Sequence, residues 1–327
     1  DAWQAHAVST DSASIYLEAG KEYQLKAEYY DNRDYAIAKL QWKVPQIGKA
    51  TRLDLYGEAG KAVRECETVV AVMGINKSIE REGQDRYDIQ LPADQREFLQ
   101  EIYKVNPNII VVLVAGSSLA VNWMDEHIPA IVNAWYPGEQ GGTAVAEVLF
   151  GDYNPAGRLT ISVPRSVGQL PVYYNTKRKG NRSKYIEEEG TPRYPFGYGL
   201  SYTSFNYSDL KAEVVEAEDS CLVNISVKVR NEGSRDGDEV VQLYLRDEVA
   251  SFTTPFKQLC GFQRIHLKVG ETKEITFRLD KKSLALYMQN EEWAVEPGRF
   301  TLMLGGSSEQ IYQQKEIEIT KRYTFKM

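Results

Sequence analysis

Residues 76–92, NKSIEREGQDRYDIQLP, crowd acids and arginines around a glycine directly behind the apolar run TVVAVMG. Glu80, Glu82 and Asp85 are carboxylates interleaved with Arg81 and Arg86. A carboxylate held over a substrate can give a proton to a leaving group and later take one from water, which is general acid–base chemistry. Asp85 and Arg86 suit a charge-assisted pair that fixes the loop and leaves another carboxylate free. Gly83 lets the backbone turn tightly or approach a ligand. The same composition also describes a solvated surface loop, and residue types alone favour that plainer reading.

Other chemistries have less support. His6, His127 and His266 do not cluster, and Cys66, Cys221 and Cys260 form no CxxC pair, so neither a metal site nor a redox motif is expected. The three thiols read as buried and free. No GxGxxG or Walker loop follows a strand, and no cofactor is expected. AGSSLA (115–120) offers serines after a strand, but without the GxSxG elbow or a suitably spaced histidine. A net charge of -7 without a basic stripe argues against a nucleic-acid or anionic-membrane partner. The longest apolar run, IIVVLVA, is far short of the roughly 20 residues of a membrane helix.

The elements that must position the loop fall into three regions. Residues 1–48 alternate as β, with Tyr23, Leu25, Ala27 and Tyr29 on one face and Ala38, Leu40, Trp42 and Val44 on another. They resemble the end of a β domain. Residues 49–206 switch to α/β: the apolar runs 68–74, 109–115 and 130–136 suit strands buried on both faces. ADQREFLQEIYKV after Pro92, and EQGGTAVAEVLFG ending at Gly151, suit helices. The alternation implies a doubly wound, mostly parallel sheet, incomplete because only three or four strands are visible. LTISV, after the turn NPAGR, is a further strand candidate. Residues 207–327 alternate again in CLVNISVKV, EVVQLYLR, EITFRL and RFTLML, an antiparallel sandwich of immunoglobulin or fibronectin-III type. The glycines of WYPGEQGG suit tight strand-to-helix packing better than an anion site. PFGYGLSY (195–202) is expected to pack the sandwich onto the α/β region.

Ligands of open α/β sheets bind beyond the carboxyl ends of the strands, which is where residues 76–92 lie. EREGQDRYDIQLPADQ, AWYPGEQGGTAVAEVLFGDYNPAGRLTISVP and PFGYGLSYTSF, in that order, resemble glycoside hydrolase family 3, the β-glucosidase and β-xylosidase family. NEGSRDGDEVVQLYL and FKQLCGFQRIHLKVGE resemble its fibronectin-III-like domain, and residues 1–48 the tail of a protective-antigen-type insert. The resemblance implies a retaining mechanism with an aspartate nucleophile on an N-terminal (β/α)₈ barrel and a glutamate acid/base on the α/β domain. Carried onto Glu-Gly-x-Asp-Arg, the acid/base falls on Glu82, with Glu80 as the rival. Retention needs the two carboxyl groups about 5–5.5 Å apart and an acid whose pKa is raised while protonated. Arg81 and Arg86 are therefore expected to point outward or to pair with Asp85 and Glu80.

No barrel or nucleophile motif is found in the chain. It therefore reads as the C-terminal part of a longer enzyme, inactive alone, whose partners are that barrel and an oligosaccharide or β-glycoside substrate. The family's usual exposure to polysaccharide fragments implies a periplasmic or secreted location. The competing expectation is a non-catalytic carbohydrate-binding or scaffold protein.

Overall fold

The computed structural model describes residues 12–18, 20–27, 62–177 and 186–326. The chain divides into two compact units, Asp1–Leu55 and Tyr56–Met327. In the first, Gly20 turns the chain with φ +79, and Lys21 N–H donates to the Glu18 carbonyl at 3.2 Å. The turn lies where the sequence places it, but residues 12–18 and 20–27 form no strand ladder, and Ile15, Tyr23 and Leu25 are exposed. The other strand expected there, AIAKLQWKV (36–44), lies outside the described residues.

In the second unit, β1 (Val69–Gly74), β2 (Ile109–Val114) and β3 (Ala130–Asn133) form a three-stranded parallel sheet in that order. The register runs Val69 opposite Ile109 to Gly74 opposite Val114, and Ile110 opposite Ala130 to Leu113 opposite Asn133. Helix α1 (Ala93–Val105) follows Pro92, whose fixed φ suits a helix start, and has Asp94 in its first turn and Lys104 in its last. Its Leu99 and Ile102 join Ala71, Met73, Val111 and Leu113 in one buried cluster. Short helix α2 (Asn122–His127) precedes β3, and α3 (Gly141–Phe150) follows it. α3 ends on Gly151 in the left-handed conformation that a Cβ would disfavour. The Gly141 backbone lies so near Pro137 that a Cβ there would meet the ring at 2.5 Å. Of the three glycines in WYPGEQGG, only Gly141 serves close packing; a Cβ at Gly138 or Gly142 would meet nothing within 4 Å. The candidate strand LTISV forms no ladder beyond an isolated bridge between Val163 and Tyr194; its backbone bonds run to residues 193–198, and Val163 is buried in the core of the α/β region.

The sandwich is antiparallel. One sheet orders β12 (Ile311–Ile319), β11 (Gly298–Gly305), β6 (Gly237–Asp247) and β7 (Gln258–Leu267); the other orders β4 (Phe205–Glu216), β5 (Cys221–Asn231) and β8 (Thr272–Asp280). The inward set Cys221, Val223, Ile225, Val227 and Val229 is buried throughout, as period-2 alternation requires. It meets Val241, Leu243, Phe300, Leu302 and Leu304 in one core. A turn of helix, α4 (Lys281–Leu284), capped by Asp280, leads to a small sheet of β9 (Leu286–Tyr287), β10 (Trp293–Val295) and β13 (Tyr323–Phe325). The architecture is thus a parallel α/β sheet followed by an antiparallel β-sandwich.

Residues 195–202 tie the two layers together. Gln242 Nε2 donates to the Gly197 carbonyl at 3.0 Å, and Ser308 N–H donates to the Phe196 carbonyl at 2.9 Å. Nearby, Arg158 Nη2 lies 3.0 Å from Glu239 Oε2, and Tyr207 hydroxyl donates to Glu239 Oε1 at 3.0 Å. All three cysteines are free, but only Cys221 is buried; Cys260 is half-buried, and Cys66, just past the helical residues 62–65, is exposed.

Candidate active site

The loop starts where β1 can end only in glycine: a Cβ at Gly74 would lie 1.8 Å from the Val114 carbonyl oxygen. The Gln95 side chain of α1 grips the backbone there, accepting from Gly74 N–H at 2.9 Å and donating to its carbonyl at 2.7 Å. Asn76 then shapes the exit. Its Oδ1 accepts from Ser78 N–H at 2.9 Å, and its carbonyl accepts from Ile79 and Glu80 N–H at 2.8 and 3.0 Å. This single helical turn delivers Glu80 into the space between the three strand ends.

Three donors converge on the Glu80 carboxylate. Gly116 N–H, after β2, reaches Oε1 at 2.5 Å; Tyr136 hydroxyl, after β3, reaches the same oxygen at 2.5 Å; Ser117 hydroxyl donates to Oε2. Arg86 Nη2 lies 3.9 Å from Oε2 and donates to Ser117 Oγ at 2.7 Å, so charge and hydrogen bonds run Arg86 to Ser117 to Glu80. Burial would push the Glu80 pKa up, but the bonds from Ser117, Tyr136 and Gly116 and the Arg86 charge outweigh it and hold the carboxyl below its ordinary value. The same carboxylate raises the Tyr136 phenol, because a hydrogen bond to Glu80 is lost when the phenol ionises. The cluster needs a glycine at 116, since a Cβ there would meet the Tyr136 ring at 2.5 Å and Glu80 Oε1 at 3.0 Å. Trp135 adopts φ 54, an unusual conformation for a bulky side chain, immediately before Tyr136.

Glu82 has the opposite setting. Arg81 and Gln84 bridge the base of a tight turn, with Gln84 N–H donating to the Arg81 carbonyl at 3.3 Å. Gly83 turns at φ +76, a conformation glycine takes without steric cost. Glu82 sits at the tip, exposed. Beyond the turn the chain is pinned again by buried Ile89 and Leu91 and by Ala120 N–H donating to the Ile89 carbonyl at 2.9 Å.

The expected Asp85–Arg86 pair does not form. Asp85 is exposed, and the Arg86 guanidinium turns instead toward Glu80 and Ser117, where a second anion acceptor and a hydroxyl await it. Arg81 points outward, as expected. Sequence reasoning did not connect Gly116, Ser117 or Tyr136 to this loop. The serines of AGSSLA were visible as candidate nucleophiles, but one of them serves to hold a carboxylate. Among the described residues no group of His, Cys, Asp and Glu could hold a metal ion.

A model of the glycosyl hydrolase family 3 C-terminal domain matches residues 7–202. The chain belongs to glycosyl hydrolase family 3. A fibronectin type III-like domain matches residues 239–308, within the sandwich. Among family 3 relatives, the chain is 41% identical to a periplasmic β-glucosidase of Salmonella typhimurium, over 79% of this chain and 35% of that protein. It is 42% identical to a β-xylosidase of Formosa agariphila, over 88% of this chain and 42% of that one. The fold superposes on a β-glucosidase from Erythrobacter marinus with a TM-score of 0.77 at 38% identity, covering 81% of this chain and 36% of the other. It superposes on a Listeria innocua β-glucosidase solved in complex with glucose with a TM-score of 0.76 at 31% identity, covering 83% and 39%. The chain thus spans about two fifths of the length of the family 3 proteins it matches. No helix among the described residues is long and apolar enough to cross a membrane.

Proposed function

We propose that this chain supplies the acid/base carboxylate, Glu82, of a retaining β-glycosidase acting on non-reducing-end β-linked sugars. The observation that carries the reading is the contrast between the two glutamates. Glu80 is saturated with donors and held ionised, which disqualifies it as a proton donor, whereas Glu82 is uncommitted at the tip of a turn beyond a strand's carboxyl end. The nucleophile is assigned to a barrel domain outside these 327 residues, consistent with the share of each relative that the chain matches. Residues 1–48 are assigned to the tail of a protective-antigen-like insert, 49–206 to the α/β domain and 207–327 to the fibronectin-III-like domain. The glycone is of the glucose or xylose class that the relatives' names carry, and the location is periplasmic or secreted.

In the mechanism, Glu82 protonates the glycosidic oxygen while the nucleophile attacks the anomeric carbon, and then deprotonates the water that releases the sugar. The test replaces Glu82 by Ala in the complete enzyme and assays aryl β-glycosides. With an activated leaving group, deglycosylation becomes limiting and slows by about 10²–10⁴-fold, and azide restores turnover as an anionic nucleophile that needs no base. Unchanged activity, or a Glu80→Ala enzyme that azide rescues instead, would overturn the assignment. The 327-residue chain alone should show no turnover.

A further inference from the structure

We infer that Glu80 is a positioning residue. Its carboxylate gathers the loops after β1, β2 and β3 into one base, and that base fixes the turn carrying Glu82. The inference rests on Glu82 being the acid/base.

The geometry singles Glu80 out because its partners come from separate places. Gly116 and Ser117 follow β2, Tyr136 follows β3, and Glu80 itself follows β1. One side chain thus closes across every strand end of the parallel sheet. A solvated loop glutamate would need none of this, yet the Glu80 side chain is only 12% exposed. Both flanks are shaped to admit it: position 116 must lack a Cβ, and Trp135 takes a left-handed φ of 54 before presenting Tyr136. Arg86 depends on it as well. Its Nη1 is buried without a hydrogen-bond partner, so the nearby Glu80 carboxylate is what offsets the charge of that guanidinium.

Glu82, by contrast, forms no side-chain hydrogen bond with the described residues, and the backbone sets its location. That backbone leaves the cluster at Glu80, enters the Arg81–Gln84 turn at the next residue, and returns to the cluster at Arg86. Both feet of the turn therefore stand on the same charge network. An acid must lie within hydrogen-bond reach of the atom it protonates. A misplacement of about 1 Å can cost on the order of a hundredfold in rate. A neutral residue at 80 would weaken the grip on all three loops at once.

The test compares Glu80→Gln, Tyr136→Phe and Glu82→Ala in the complete glycosidase, using aryl β-glycosides with good and poor leaving groups, with and without azide. Glu80→Gln should lower kcat by about a hundredfold with KM close to wild type, and azide should not restore it. Tyr136→Phe removes one donor and should lower kcat several-fold in the same pattern. Glu82→Ala should be rescued by azide. Hydrogen exchange on the 327-residue chain supplies a readout free of catalysis. Glu80→Gln should speed exchange in residues 76–90 and at Gly116 while β2 stays protected, which also shows that the variant folds. Wild-type kcat in both Glu80→Gln and Tyr136→Phe, beside an azide-rescued Glu82→Ala, would sink the positioning role alone. An active, unrescued Glu82→Ala enzyme would sink the acid/base reading on which it rests. Azide rescue at Glu80→Gln would overturn both by making Glu80 the catalytic group.

Discussion

The parallel sheet has the more continuously apolar strands, yet the sandwich, whose strands alternate apolar with polar residues, is the more completely sealed of the two. In the sandwich, Val223, Val227, Val229, Val241 and Leu243 are completely buried between two sheets. In the parallel sheet, Ala71 and Met73 are buried under α1, while Val70 and Val72 of the same strand are 47% and 66% exposed on the opposite face. Parallel sheets normally have both faces covered. Helix α3 repeats the pattern: it is almost wholly apolar, but Phe150 is 83% exposed and Gly141 is its only buried residue. The sandwich holds itself together by packing. The strand ends of the parallel sheet are joined by polar side chains reaching between loops. Packing suits a rigid support, and a directional polar network suits a loop whose residues must be placed for chemistry.

The largest effect that separates the two regions is on stability. Phe300→Ala in the sandwich core should cost about 3–5 kcal/mol, because the cavity cannot collapse between two sheets. Val72→Ala should cost under about 1 kcal/mol, since the removed methyls already face solvent. Urea unfolding midpoints of the two variants check this, and equal losses would break the contrast. Next in size is Asn231, the sandwich's own buried polar hub. Its side chain donates to the Arg235 and Leu267 carbonyls at 2.7 and 3.1 Å and accepts from Thr203 Oγ1 and Gly233 N–H at 2.6 and 3.1 Å. Asn231→Ala should cost about 2–3 kcal/mol by stranding those groups. In a complete enzyme it should leave kcat unchanged at temperatures where the variant is folded, whereas Glu80→Gln should lower kcat even where it is folded. A kcat loss at Asn231→Ala would show that the sandwich is coupled to the site.

Much of this architecture could be read from the sequence where burial is two-sided or strictly alternating. VVAVMG and IIVVLV are legible as strands, and α1 occupies the span between Pro92 and Asn106 that its pattern indicates, but the two-sided burial expected of 68–74 and 130–136 fails: Val70 and Val72 face solvent and no residue of Ala130–Asn133 is buried. Three sandwich strands carried weaker patterns. β4 has a register shift between Ser208 and Lys211, which breaks its period of two. β7 and β12 are edge strands whose exposed residues include Arg264, His266, Lys315 and Glu316, as edges that avoid aggregation tend to be. The site divides the same way. Glu82 could be assigned a role only through the family motif. Of the grip on Glu80, only the approach of Arg86 is legible; Gly116, Ser117 and Tyr136 lie 36, 37 and 56 residues away and meet it only when the three strands align. The pairing of Asp85 with Arg86 failed for a related reason: adjacency in sequence says little about which acceptor a long guanidinium side chain will reach once the fold offers a half-buried carboxylate.

The smallest and sharpest effect concerns pH, because the two regions each bury a glutamate beside an arginine with opposite consequences. Three hydrogen-bond donors and Arg86 lower the Glu80 pKa despite burial. At Glu239, burial dominates and raises the pKa, with the Arg158 charge and the Tyr207 hydroxyl offsetting only part of it. A lowered carboxylate pKa means the folded state binds the proton less tightly than the unfolded one. The stability that Glu80 contributes is therefore present above its ordinary value of 4.5 and is lost as pH falls through the folded value. A raised pKa has the opposite sign. The stability linked to Glu239 is full below 4.5 and drains away as pH rises through its folded value. Unfolding free energies of wild type, Glu80→Gln and Glu239→Gln, measured from neutral pH down into the acid range, should thus diverge. The wild-type advantage over Glu80→Gln shrinks on acidification below 4.5, and the advantage over Glu239→Gln grows as pH falls toward it. Parallel curves would mean that donor number does not separate the two carboxylates. Crossing curves would show that the donors and Arg86 outweigh burial at Glu80, while Arg158 and Tyr207 offset only part of it at Glu239.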